Sequence, residues 1–263
     1  MQLRTSIGAL AALMLAAGTA GAQCVNNANG KRCFGTDVNG NASTRATNVN
    51  SLAAQTAFLA GLVNPGVENF ESFAVNAGPD LNVNFAGAGI TATLDGNTGD
   101  GVRSVVGGGT DGNGRYSISP TKFYETSAGA GAPETNFRLN FNAPTAAFGF
   151  YGVDVGDFSA QFSLRVTLVG GATEDWVLPY TASQGQNSAR DGSILFAGFV
   201  DTRQFTAIEF RANNPGVNDD VFAFDNFTVA SLRQVQIVPE PSTYALMATG
   251  LIGLVGIARR RRA

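Results

Sequence analysis

The chain has 263 residues with 17 Lys and Arg, 20 Asp and Glu and no histidine, for a formal net charge of −3. The lack of histidine excludes a Ser-His-Asp triad, a Cys-His dyad and any histidine-ligated zinc or iron site. Setting aside Arg4, the four terminal arginines and Glu240 leaves 12 basic against 19 acidic residues, a body of net −7 for which nucleic acid and anionic lipid are poor partners.

Arg4 precedes an apolar stretch from Ile7 to Ala17, and Ala20-Gly21-Ala22 places small residues where a signal peptidase inspects the chain. Residues 1–22 read as a signal peptide cut after Ala22, with the mature chain starting at Gln23. Cys24 and Cys33 are the only cysteines, and in an exported protein their spacing predicts one disulfide closing a small loop over Asn29-Gly30, protecting a loose end. A polar stretch from Asn39 to Asn50 leads to a short helix over Ser51 to Leu62, with Ser51 as N-cap. Leu52, Phe58, Leu59 and Leu62 share one face, and Pro65-Gly66 ends the segment. Residues 23–66 thus read as disulfide loop, polar linker and a short helix packed on the edge of a β domain.

From Glu68 the pattern turns to period two. Phe137, Leu139 and Phe141 alternate with Arg138, Asn140 and Asn142; Phe162, Leu164, Val166 and Leu168 alternate with Gln161, Ser163, Arg165 and Thr167. Further strands are predicted over Glu68–Val75, Leu81–Phe85, Ile90–Leu94, Ala146–Val153, Ile194–Val200, Phe205–Arg211 and Val221–Val229. Turn signals such as Asp95-Gly96, Gly170-Gly171, Asp191-Gly192 and Asn214-Pro215-Gly216 separate them. Nine or ten antiparallel strands over 67–232 fit an all-β fold, a two-sheet antiparallel β-sandwich of jelly-roll type, with nearly all nineteen phenylalanines in its core.

Four groups of residues carry chemistry. Trp176 stands beside Glu174 and Asp175 and four residues before Tyr180: either a core tryptophan or a platform on which a sugar ring stacks while the carboxylates hold its hydroxyls. Asp225 shares a strand face with Ala223, Phe227 and Val229 unless the strand breaks there, so it is drawn inward and needs a cation or donors. Glu71 opens the first strand. This early Glu and late Asp resemble the pair that holds structural calcium in jelly-roll carbohydrate-binding modules, which would make Glu71 and Asp225 calcium ligands; a salt bridge or a capped turn is the other reading. Asp154 and Asp157 form a weaker candidate cation site in a Gly-Asp turn. The stretch from Asp95 to Asp100 is loop rather than an EF-hand, and Gly107 to Gly109 is no phosphate loop.

The last segment, 233–263, has three parts. Val238-Pro239-Glu240-Pro241-Ser242-Thr243 is held extended by its prolines, Tyr244 to Ala258 is an apolar membrane span, and Arg259 to Arg262 is a basic stop on the cytoplasmic side. This arrangement resembles the PEP-CTERM sorting signal of bacterial envelope proteins. The resemblance implies processing by an exosortase, with the body first periplasmic and anchored, then at the cell surface or in the matrix. Catalysis would be left to a pair of carboxylates acting on a glycosidic bond, and no pair is singled out. The expectation is therefore a non-enzymatic envelope or matrix protein that binds or organises extracellular polysaccharide in a biofilm. A purely structural or adhesive surface protein is the second reading and a glycosidase the third.

Overall fold

The computed structural model describes residues 22–128, 131–155, 161–179, 191–214 and 220–236. Residues 1–21, which hold most of the expected signal peptide, and the tail from Ile237, with its apolar run, lie outside them. Among the described residues twelve strands and one α-helix run in chain order: β1 (Gln23–Asn27), β2 (Gly30–Asp37), α1 (Asn50–Leu59), β3 (Gly66–Glu68), β4 (Leu81–Phe85), β5 (Ile90–Gly96), β6 (Gly101–Ser104), β7 (Lys122–Ala128), β8 (Gly131–Val153), β9 (Gln161–Leu168), β10 (Thr173–Val177), β11 (Ile194–Asn214) and β12 (Asp220–Ala230). Every strand pairing is antiparallel.

The long strands β8 and β11 make the sandwich. Their pairing is regular over Val153–Ala147 against Ile194–Val200, breaks around Phe205, where Gln204 takes a φ of 60°, and resumes over Asn140–Phe137 against Ala207–Phe210. A strand that bends at such a bulge passes from one sheet to the other. On one side of the bend the order is β1-β2-β11-β8-β12-β7-β6, with β3 also on β12; on the other it is β4-β5-β8-β11-β9-β10. The sequence expectation of separate strands at 137–141 and 146–153, and at 194–200 and 205–211, is thus corrected to two bent strands.

Between the sheets lies an aromatic core in which Phe137 stacks on Phe210 at 4.1 Å between ring centroids, and Phe227 closes edge-on against Phe70 at 5.3 Å. Of the described phenylalanines, all but Phe34 and Phe73 are buried. The first sheet is also covered on its outer face. Phe196, Tyr151, Ile194 and Ala147 lie there beneath Phe58 and Ala54 of α1 and beneath Val105 and Tyr116 of the segment before β7. Gly149 and Gly198 face each other in register, and a Cβ on either would fall within 2.9 Å of the Phe58 ring. Two opposed glycines thus form the dent that seats the helix.

Several local expectations change. Residues 23–37 are no loose loop but a hairpin whose disulfide joins the cross-strand pair Cys24 and Cys33, and β2 pairs with β11 along its whole length. Helix α1 lies on a sheet face rather than an edge; Leu52 is exposed and Ala54 and Phe58 are the buried contacts. Ser51 is not the cap. The carboxylate of Asp37, at the end of β2, accepts from Asn50 N and Ser51 N at 2.9 Å each and from Ser51 Oγ at 2.6 Å. The strand expected over Glu68–Val75 stops at Glu68, whose own carboxylate accepts from Phe70 N at 2.7 Å and turns the chain, with Phe70 at a φ of 60°.

Candidate functional site

Asp225 and Glu71 do converge, on the turn from Ile118 to Lys122. Asp225 reaches it by a route the strand pattern did not give. The register of β12 against β8 slips after Asp225, with Asn226 at a φ of 51°, so Phe222, Phe224, Phe227 and Val229 all point between the sheets while Ala223 and Asp225 point outward under the covering segment. There Asp225 is buried and accepts from Ile118 N (2.7 Å), Ser119 N (2.6 Å) and Asn226 N (2.6 Å). Burial raises its carboxyl to about 7, more than those hydrogen bonds lower it.

Glu71 accepts from Thr121 N and Lys122 N at 2.7 Å each, from Thr121 Oγ1 at 2.9 Å and from Ser119 Oγ at 3.1 Å. Burial raises this carboxyl, yet the donors together hold it below the usual glutamate range. Ser119 touches both carboxylates. The pair is supplied with N–H and O–H donors that fix the turn, which is the capped-turn alternative to calcium. Among the described residues no group of three His, Cys, Asp or Glu is placed to hold a metal ion.

Asp154 is buried at a φ of 65° beneath Gly114, and its backbone N–H donates to Ser193 O at 3.0 Å. Asp157, its proposed partner, lies outside the described residues. Gly107 to Gly109 are likewise structural: Arg45 donates to the carbonyls of Gly107, Gly109 and Ser117 and lies 4.8 Å over the Tyr116 ring. Asp100 is buried and accepts from Thr126 Oγ1 at 2.9 Å and Asn97 N at 2.9 Å, which closes the loop between β5 and β6.

Trp176 is a core residue, not a platform. Only 6% of its surface is exposed, its ring stands edge-on to Phe199 at 5.8 Å, and Arg32 covers it at 5.5 Å. It forms the floor of a shallow notch with Arg32, Glu174 and Asp201 on the rim. Glu174 is taken up by Arg203, whose hydrogen bonds hold the carboxyl below its usual range, and Asp175 by Arg165 at 2.7 and 2.8 Å to like effect. Tyr180 lies outside the described residues.

Among the described residues, the surface left open is the outer face of the second sheet. One register row crosses it from β5 to β10: Asp95, Arg138, Glu209, Arg165, Asp175. The charges alternate in sign at every step. Arg138 bonds Glu209 at 2.5 Å and Asn140 at 2.6 Å, and Asn140 bonds Asp95 at 2.6 Å. Beside it runs the row Asn82, Thr93, Asn140, Ala207, Thr167 and Thr173, short and polar at every position except the buried Ala207 of β11. Sequence reasoning read Arg138, Asn140, Arg165 and Thr167 as wet positions of their strands, Asp95 as a turn residue and Asp175 as a candidate sugar-binding carboxylate; the row exists only through the pairing of five strands.

Residues 238–262 match the model of the PEP-CTERM protein-sorting motif. The tail is therefore the sorting signal that directs a chain to exosortase processing and the cell envelope or surface. No curated protein matches the chain. Among solved structures, the K2 cleaved adhesin domain of Lys-gingipain is similar at 14% identity and TM-score 0.37, over 63% of this chain and 97% of that one. An arabinose-bound α-L-arabinofuranosidase is similar at 10% identity and TM-score 0.36, over 74% of this chain and 30% of that one. A family 11 carbohydrate-binding module of a cellulosomal cellulase of Clostridium thermocellum is similar at 9% identity and TM-score 0.25, over 64% of this chain and 95% of that one. Likenesses this distant say nothing of ligand or partner.

Proposed function

We propose that this chain is a non-catalytic protein of the bacterial envelope or extracellular matrix, which holds extracellular polysaccharide against the open face of its second sheet. The observation that carries this reading is the contrast between the two outer faces. One is sealed by α1 and the segment before β7; the other presents amides, hydroxyls and a charge ladder to solvent across five strands. Sugar hydroxyls are met there by hydrogen bonding rather than by ring stacking, because Trp176 is in the core.

The structural or adhesive reading, without a sugar site, is favoured by the same burial of Trp176 and by the internal pairing of the ladder. A glycosidase needs two carboxyls facing each other across a groove, and on this face Glu209 and Asp175 are each taken up by an arginine. The test is binding of a purified Gln23–Gln236 body to the producing organism's own exopolysaccharide, with calcium and with excess EDTA, beside an Asn140→Ala/Thr167→Ala variant. Binding in both buffers that the variant loses is the expected result. No binding in either buffer overturns the polysaccharide reading and leaves a structural surface protein.

A further inference from the structure

The body does not let go of its chain at the end of β12. Ser231 and Gln234 form a capping box, with Gln234 Oε1 accepting from Ser231 N and Oγ at 3.0 Å each, and Gln234 Nε2 donates to the carbonyls of Asn64 and Gly87. Val63 N donates to Gln234 O at 2.8 Å, Val235 bridges Leu62, and Gln236 N donates to Gly61 O at 2.8 Å. Three segments, 61–64, 86–88 and 231–236, are thereby tied into one patch at the end of the sandwich, and the backbone is held as far as Gln236.

The sorting motif starts two residues later, at Val238, and the apolar run at Tyr244. The seven residues from Ile237 to Thr243 reach at most ~25 Å even when fully extended. A body of this size has a radius of gyration of roughly 17 Å, so a tether of that length keeps the opposite end of the body from reaching the membrane. The charge of the patch agrees. Although the body is acidic, residues 60–66, 86–89 and 231–236 contain no carboxylate and a single charge, Arg233. The side chains exposed there, Ala60, Val63, Asn64, Ala86, Arg233 and Gln236, are small or neutral apart from the one cation. Lipid headgroups would not repel such a surface, and anionic ones would attract its arginine.

We infer that, while the tail is in the membrane, this end of the sandwich is seated on the bilayer surface. The inference rests on reading Tyr244–Ala258 as a membrane span. The patch lies at the ends of the strands, at the β4–β5 turn and beyond β12, so both sheet faces stand off the lipid.

The test uses the full chain in vesicles of phosphatidylethanolamine and phosphatidylglycerol containing a nitroxide-headgroup lipid. The two native cysteines are joined in a disulfide, so a fluorophore can be attached at Val63→Cys, Ala86→Cys or Asn113→Cys. Asn113 is exposed in the loop over Asp154, beyond the Val153 end of β8, whereas the patch lies beside the bend of that strand, where Ala147 pairs with Ala230. Quenching several-fold stronger at 63 and 86 than at 113 is expected. Equal quenching at all three, or the strongest at 113, overturns the orientation while leaving the anchor intact. A chain that fails to float with the vesicles removes the span, and the inference with it.

Discussion

At the scale of single residues, burial decides roles that residue type leaves open. Asp225 is a buried carboxylate supplied with three backbone amide donors, and its folded pKa of about 7 lies above the ~3.9 of an unfolded aspartate. The folded state therefore binds the extra proton between those values, so its contribution to stability is full below about pH 4 and is lost as pH rises through 7. Asp225→Asn should flatten this dependence: on acidification from pH 7.5 to 5 the wild-type melting temperature should rise relative to the variant. Parallel profiles would refute the assignment. Gly198 makes the complementary point, that a side chain left out can be what a contact needs. Gly198→Ala places a methyl 2.9 Å from Phe58 Cδ2 and 3.0 Å from Phe196 Cε1, and should cost about 1–3 kcal/mol in urea unfolding. Because both changes act on one contact, combining it with Phe58→Ala should cost less than the sum of the two. The identity of Trp176 was legible in the sequence, but its burial depended on Phe199 and Arg32, which stand on other strands.

At the scale of elements, the helix and the charge ladder both depend on partners far along the chain. Helix α1 has no cap of its own, and Asp37, thirteen residues before Asn50, supplies it from the end of β2. Asp37→Ala should cost about 1–2 kcal/mol, whereas Ser51→Ala, which keeps the carboxylate, should cost less. The ladder predicts that Arg138→Glu, which sets a carboxylate opposite both Asp95 and Glu209, lowers the urea midpoint by about 1 kcal/mol in stability, an effect that shrinks in high salt. No change at low salt would mean that the pairs contribute nothing. Strand existence was well marked, and Leu81–Phe85 and Gln161–Leu168 have the bounds that their alternation predicts. The alternation carried a further message. Phe137–Phe141 and Phe162–Leu168 alternate because their sheet has one wet face, while the nearly unbroken apolar runs at 146–153 and 194–200 belong to the sheet covered on both. β6 and β10 lacked such a pattern, being short and at a sheet edge; β7, between β6 and β12, buries Phe123 on one face and Tyr124 on the other; and β2 was hidden because its apolar contacts are divided between α1 and β11.

At the scale of the whole molecule, Glu71 and Asp225 bind the first turns of the body to its last strand through one loop, using donors the chain itself supplies. EDTA should therefore leave the melting temperature unchanged. A drop of several degrees, restored by calcium, would show an ion acting where the amides are now seen. The sequence by itself determined the sorting tail and the class of the body. A sorting motif is read by a processing enzyme as a local string of residues, and period-two burial is a local property of a strand, so neither needs the fold to be visible. Only the tertiary structure decided which way Asp225 points, that Trp176 is in the core, where the helix lies and that five strands align one row of alternating charge. Each of these depends on register between segments tens of residues apart, and a single bulge, such as those at Asn226 and Gln204, moves every side chain beyond it to the other face.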